Sequence, residues 1–265
     1  YLETLSGHER TVESLDFSDD GNNLISSGSE KSVFLWNLEN GKIMKKFDMG
    51  KHRVQEVRFF PGSLNFLTAG TNGMVKIWDS KDGTLIRDLK FHKGKINSLS
   101  IHPTELILLS AGSDRNWVLW DLESGKKQIN GSGHSSQILA SRFSPEGNKF
   151  ATAGSDLSVI IWNFPEGKEL VRLKGHKKAI TSLAFSPDGK FLASSSKDNR
   201  IIFWKLQPEI SKNPYRLLEG HEFIVNHVLF SNDGEKLISV SKDKTMRLWG
   251  VKSGKLLRIL HGDSN

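Results

Sequence analysis

Six tryptophans constrain what this chain can fold into. Trp36, Trp78, Trp120, Trp162 and Trp204 recur every 42 residues, and Trp249 follows after 45. Upstream of each stands a histidine: His8, His52, His92, His134, His176 and His221, four of them directly after a glycine. A fixed period near 40 means that each unit is one supersecondary structure, unable to bury its own faces, so neighbouring units must stack into a shared core. Within a unit the pattern is β-rich. TVESLDF (11–17), ITSLAF (180–185) and IVNHVLF (224–230) alternate apolar and polar residues. Asp-Gly turns follow, as in SPDGK (186–190) and SNDGE (231–235). A second strand such as FLASS (191–195), a third such as RIIFW (200–204) and a fourth such as SGKLLRIL (253–260) complete the unit. Short strands punctuated by turns predict an all-β array rather than a helical repeat.

These GH-to-W units, in register along essentially the whole chain, resemble the WD-repeat β-propeller family. The literal Trp-Asp pair occurs at Trp78-Asp79 and Trp120-Asp121, whereas the other units read WN, WK or WG. The resemblance implies one domain, residues 1–265, of six four-stranded blades, with strands a to d running outward from a central channel. The repeats span approximately 8–48, 52–90, 92–131, 134–173, 176–219 and 221–260. Strand d recurs once more, at residues 1–5, as the outer strand of a preceding or closing blade. The chain therefore reads as part of a larger array, seven-bladed or longer, and the tail HGDSN (261–265) reads as the start of another d–a loop. The sequence opens on Tyr1 rather than Met, which fits a processed chain or a piece of a longer one.

One unit poses a chemical question. GHKKAITSLAFSPDGKFLASSSKDNRIIFWK (175–205) contains His176, Ser194 and Asp198, the ingredients of a nucleophilic triad. In the family these residue types, with the Trp, form one hydrogen-bonded structural chain within a blade. The matching sets are His92, Ser110, Asp114 and Trp120; His134, Thr152, Asp156 and Trp162; His176, Ser194, Asp198 and Trp204; and His221, Ser239, Asp243 and Trp249. The first two units depart from the pattern. Glu30 replaces the Asp beside His8, Ser26 and Trp36, and Asn72 replaces it beside His52, Thr68 and Trp78. A triad needs one exposed nucleophile beside an oxyanion hole. A set repeated around the ring, with Ser and Thr exchanged freely, instead satisfies buried polar groups, each of which costs roughly 1–3 kcal/mol if left unpaired.

Other chemistry finds little support. There is no GxxxxGK[ST] phosphate loop and no GxGxxG leading from a strand into a helix. The absence of cysteine removes disulfides and thiolate sites and fits an intracellular location, cytoplasmic or nuclear. No histidine has the i, i+4 partner of a helical metal site, and His102 and His227 read as turn or strand residues. No apolar run approaches the ~18 residues of a membrane span. The expectation is a non-enzyme without metal or cofactor.

A partner would meet the loops. In the family the chain resembles, the d–a and b–c loops share one face of the disc, the top. They carry thirteen Lys and Arg against seven Asp and Glu, whereas the bottom turns carry twelve against fourteen, so the positive charge of the chain is concentrated on one face. The residue after the first apolar residue of each strand a should look into the top of the channel: Glu13, Gln55, Asn97, Leu139, Thr181 and Asn226. Lys197, Lys242, Arg53, Lys95 and Lys178 flank them. Few aromatics stand there, which argues against a base-stacking platform. The reading is a scaffold that holds an acidic protein or peptide, as a subunit of a larger complex. The alternatives are a nucleic-acid-associated subunit of an RNA-processing or chromatin assembly and a regulatory or sensor domain of a longer enzyme. Two irregularities remain. The segment KLQPEISKNPYRLLEGH (205–221) is a surface loop in which Pro208 and Pro214 exclude a regular strand. Trp117, three residues before Trp120, points to the opposite sheet face and is expected to wedge between blades.

A serine-reactive probe should leave Ser194 unlabelled. His176→Ala should lower stability by about 1–3 kcal/mol in denaturant unfolding without abolishing any turnover. Labelling of Ser194 that His176→Ala blocks would reverse this reading.

Overall fold

The computed structural model describes residues 4–51 and 53–262, and every regular element among them is a β-strand. Consecutive sets of four strands form six antiparallel sheets. Blade 1 holds β1 (Val12–Phe17), β2 (Asn23–Gly28), β3 (Ser32–Asn37) and β4 (Lys42–Asp48). Blade 2 holds β5 (Val54–Phe59), β6 (Phe66–Gly70), β7 (Met74–Trp78) and β8 (Leu85–Lys90). In blade 3 the order is β9 (Ile96–Ile101), β10 (Ile107–Gly112), β11 (Asn116–Asp121) and β12 (Lys127–Ser132). Blade 4 continues with β13 (Ile138–Phe143), β14 (Lys149–Gly154), β15 (Ser158–Asn163) and β16 (Glu169–Lys174). Blade 5 has β17 (Ile180–Phe185), β18 (Phe191–Ser196), β19 (Ile201–Lys205) and a short β20 (Arg216–Leu218). Blade 6 ends the series with β21 (Val225–Phe230), β22 (Lys236–Ser241), β23 (Thr245–Gly250) and β24 (Leu256–His261).

Each sheet meanders from strand a to strand d, and the six a strands wall a central channel. A blade cannot cover its own faces, so the core lies between blades. Ile25, Val33, Leu35 and Phe47 of blade 1 form one cluster with Val54, Val57, Phe59 and Phe66 of blade 2. Burying each such side chain contributes about 1.5–3 kcal/mol. This sandwiching explains the b strands. Strand β10, ILLSAG, is buried at all six positions and reads as a continuous apolar and small run. The d strands are outer edges, largely exposed and studded with Lys and Arg as in KIMKKFD, which discourages edge pairing with other chains. The a strands pack side by side from blade 1 to blade 6, and among the described residues no comparable contact joins blade 6 to blade 1.

Trp117 lies between blades 3 and 4, 1% exposed, against Phe150 and Trp162 at centroid distances of 4.9 and 5.2 Å. Its place in strand c is held in the other blades by smaller residues, each paired across to strand d: Val33 with Phe47, Val75 with Leu89, Val159 with Leu173. Trp117 is paired instead with Gly131, where a Cβ would stand 2.2 Å from the indole. The bulk missing from strand d is supplied from strand c.

Some expectations shift. Thr4 and Leu5 belong to no strand, while Tyr1, Leu2 and Glu3 lie outside the described residues, as does His52. His261 closes β24 rather than opening a loop, and of the tail only Gly262 follows it among the described residues. The 205–221 segment is irregular between its two prolines, as expected, and the outer strand after it shrinks to three residues.

Trp117→Val should leave a cavity costing on the order of 3 kcal/mol, and Gly131→Leu should overpack the same site by about 1–3 kcal/mol. Their combination should recover most of both losses in a double-mutant cycle read by urea unfolding. Simple additivity would contradict the compensation.

Candidate functional site

The His–Ser–Asp sets are closed within single blades. In blade 5, His176 donates through Nδ1 to Asp198 at 3.0 Å and accepts through Nε2 from the Ser194 hydroxyl at 2.8 Å. Ser194 Oγ in turn accepts from Trp204 Nε1 at 2.8 Å. The same chain runs through His92, Asp114, Ser110 and Trp120, through His134, Asp156, Thr152 and Trp162 and through His221, Asp243, Ser239 and Trp249. Ser194 has no exposed surface, so no substrate carbonyl can reach its oxygen. The Asp also caps the turn that leads into strand a. In blade 5 it accepts the Lys177 amide at 2.8 Å, and in blade 3 the Lys93 amide at 3.1 Å.

Blade 1, a departure from the pattern, closes in the same way. Glu30 bonds His8 Nδ1, His8 Nε2 lies 2.7 Å from Ser26 Oγ, and Trp36 donates to Ser26 at 2.8 Å. In blade 2, Trp78 donates to Thr68 at 2.8 Å, and Asn72 accepts the Met74 amide within its own turn. The histidine of that unit is His52, outside the described residues.

Charge in these sets is held inward. Burial opposes ionisation of Asp198, but hydrogen bonds from His176 and the Lys177 amide outweigh it and hold the carboxyl at about 2. Asp156 and Asp243 fall well below the usual carboxylate range for the same balance of reasons. Burial lowers the His221 imidazole despite Asp243, so the pair is a neutral imidazole donating to an ionised carboxylate. The side chains of Glu30, Asp114, Asp156, Asp198 and Asp243 are only 5–9% exposed, and these are five of the seven acids on the top loops.

Strand a of every blade carries the same irregularity. In every blade the pairing of strands a and b slips by one residue at the same place. The skipped residues are Glu13, Gln55, Asn97, Leu139, Thr181 and Asn226, the same six that were expected at the channel mouth. Each is the extra residue of a β-bulge, which re-aims its side chain. The sequence carries a trace of this. Strand a is not strictly alternating: its apolar residues are spaced by three and then two, as in Val54, Val57 and Phe59.

Several rim residues are engaged between blades. Glu13 bonds Arg53 and accepts from Gln55 at 2.9 Å, and Asn97 donates to the Ile138 carbonyl at 2.7 Å. Thr181 donates to the Val225 carbonyl. Leu139 makes no such link, and Asn226 is exposed. Lys95 stands beside Glu13 and Arg53. Burial lowers its ammonium, Glu13 offsets part of that, and Arg53 adds to it. By contrast Lys177, Lys178, Lys197, Lys242 and Lys244 of blades 5 and 6 are exposed and form no ion pair with any described residue.

Deeper in the channel lies a charged girdle that the sequence reading missed. Arg58 pairs with Glu56 and stands 3.7 Å from Asp16. Arg142 donates to the Ser141 carbonyl at 2.8 Å, and burial together with Arg58 lowers its guanidinium to about 10 against the pull of Glu56 and Asp16. Burial and the same two arginines push His227 down to about 4. The available signal was the fifth position of strand a, where Asp16, Arg58 and Arg142 carry charge in a β-segment otherwise facing apolar neighbours. His102 is structural, its Nε2 bonded to the Gly147 carbonyl of the next blade at 3.0 Å. Among the described residues no cluster of three or more His, Asp or Glu could hold a metal ion.

The family model for the WD domain, G-beta repeat, matches residues 1–37, 41–79, 83–121, 125–163, 167–205 and 212–250. Each matched segment after the first runs from one outer strand to the tryptophan of the following blade, so the sequence repeat straddles two sheets. No curated protein matches the chain.

The folded-state value of Asp198, about 2, lies below the roughly 3.9 of an unfolded aspartate. Its contribution to stability is complete above the unfolded value and is lost as pH falls through the folded one. Melting temperature should therefore drop between about pH 5 and pH 2. Asp198→Asn should be less stable at pH 7 and should show a shallower drop over that window. An unchanged slope would mean that the carboxylate is not held as described.

Proposed function

The chain belongs to the WD domain, G-beta repeat family, and from that premise we propose that it is a non-enzymatic scaffold whose top face recruits an acidic protein or peptide partner. Propellers of this family are generally non-catalytic interaction platforms. The observation that carries the finer reading is the unequal fate of charge on the top loops. The acids are largely folded inward against histidines, whereas Lys177, Lys178, Lys197, Lys242 and Lys244 extend unpaired from neighbouring blades. An acidic ligand crossing blades 5 and 6 would meet these lysines, with the exposed Asn226 and the bonded Thr181 at the channel edge beside them. Blades 1 to 3 carry as many exposed top-loop cations without an ion pair among the described residues, Arg10, Lys31, Lys51, Lys93 and Arg115, but spread over three blades rather than two. Lysines on a rim steer and orient a partner more than they fix its affinity, so binding should weaken with salt. An intracellular complex is the proposed setting.

The test immobilises the chain beside Lys197→Glu/Lys242→Glu and identifies proteins retained from a cell extract, with and without nuclease. A partner that survives nuclease and is lost about tenfold or more on charge reversal supports the scaffold, since like charges at an interface cost several kcal/mol. Retention abolished by nuclease would replace it with the nucleic-acid reading, because the same lysines would equally face a phosphate backbone. Retention indifferent to the charge reversal would move the contact away from this face.

A further inference from the structure

The top loops present one aromatic ring that the frame does not use. On the outer rim, exposed apolar residues recur in register. Met44, Ile86, Leu170 and Leu257 are each the residue skipped where strand d pairs with strand c, and each is about half exposed. Their repetition marks them as a property of the blade. Phe223 has no such counterpart. It stands two residues before strand a of blade 6, a place held by Arg10, Gly94, Ser136 and Lys178 in blades 1, 3, 4 and 5. It is 58% exposed, more than any other Phe, Tyr or Trp among the described residues, and it belongs to none of the hydrophobic clusters. The other large apolar side chain exposed on these loops, Leu157, is 36% exposed.

The loop that carries the ring is fixed from both sides. The Glu222 amide donates to Asp243 at 3.2 Å, and the Glu222 carbonyl accepts from Asn199 of blade 5 at 2.8 Å. The Phe223 carbonyl accepts from the Ser241 hydroxyl at 3.1 Å, and the Ile224 carbonyl from the Lys242 amide at 2.9 Å. The backbone under the ring is thus ordered before any ligand arrives, which spares binding that cost. The same bonds join the loop to turns that carry lysines. Lys242 and Lys244 belong to the b–c turn bonded to Phe223 and Ile224, and Lys197 to the b–c turn that supplies Asn199. All three are exposed and form no ion pair among the described residues. Of the acids nearby, Asp243 is held by His221 and Glu219 by Arg200 at 2.9 Å, which leaves Glu222 exposed against three cations.

An apolar ring among lysines calls for a ligand of the opposite layout. We infer that Phe223 is the anchor of a seat for a short acidic peptide segment that carries one large apolar residue, Leu, Phe or Trp, among its Asp and Glu residues. The inference rests on the top-face reading and narrows its partner. The division of labour follows from the physics of interfaces. Exposed lysines set approach and orientation. An aromatic side chain stripped of water at the centre of a contact supplies most of the affinity, because each buries on the order of 150–250 Å².

Short random peptides displayed on phage are selected on the whole chain. Recovered sequences are then titrated as labelled peptides against the chain, Phe223→Ala, Phe223→Trp and Lys197→Glu/Lys242→Glu. An oligo-dT strand is titrated in parallel. Recovered peptides should carry Asp or Glu around a Leu, Phe or Trp. Their affinity should fall about tenfold or more on Phe223→Ala, or when their own apolar residue becomes Ala, and should survive Phe223→Trp. The melting temperature of Phe223→Ala should match that of the parent, since the ring belongs to no cluster. Recovery of no peptide, or of peptides that bind Phe223→Ala as tightly as the parent, overturns the proposal. If such peptides are acidic and are lost on Lys197→Glu/Lys242→Glu, the top-face reading outlives it; if they are indifferent to that change as well, both fall. A lowered melting temperature of Phe223→Ala would make the ring part of the frame. Tighter binding of oligo-dT, with the same dependence on Phe223, would give the seat to single-stranded nucleic acid.

Discussion

Everything in this molecule depends on one contact, the seating of each sheet against the next. A four-stranded sheet of six-residue strands has two apolar faces and no means of covering either. Strand a supplies its first, fourth and sixth residues to the blade behind, and strands b, c and d supply theirs to the blade ahead. The result is a core distributed among interfaces rather than gathered at a centre, with stability close to a sum of neighbour terms. The Trp117–Gly131 exchange shows how local the constraint is. Blades 3 and 4 need a certain volume between them, and it matters little which strand contributes it, provided the facing position gives way.

The histidine networks act on the loops rather than on the core. In blades 3 to 6 each ties the d–a connection to the b–c turn through a buried imidazole, and the carboxylate that anchors it also caps the first amide of the loop. The same bonds turn the side chains of Glu30, Asp114, Asp156, Asp198 and Asp243 into the blades, so that they are only 5–9% exposed. Blade 1 reaches the same end with Glu30, whose longer side chain still spans the distance to His8.

Much of this was legible in the residues. The 42-residue period, the alternation within units and the Asp-Gly turns gave the strands nearly to the residue, and the recurrence of the His, Ser and Asp sets argued against catalysis before any geometry was available. Trp117 could be placed between blades from its offset of three from Trp120. What stayed hidden was hidden for physical reasons. The bulge adds one residue without breaking the apolar pattern, so Glu13 and its counterparts could not be recognised as unpaired. The girdle of Asp16, Arg58 and Arg142 needs three blades brought to one axis, a juxtaposition that no single repeat displays. The behaviour of Glu30 depended on side-chain reach, which residue type alone does not fix. The exposure of Val12 and Met246 leaves no mark in their residue type, since both look like ordinary core residues.

The bulge in strand a separates two jobs that a regular strand would force onto the same residues. The positions on either side of it are bound to the interfaces, and their size and polarity are fixed by what they touch. The bulged residue is released from the ladder and from the core together, which is why a glutamate, a leucine and a threonine can occupy it in different blades of one ring. Six such places, one in each blade, stand on an unchanging frame. A chain built in this way can alter these side chains one at a time without renegotiating how its blades seat.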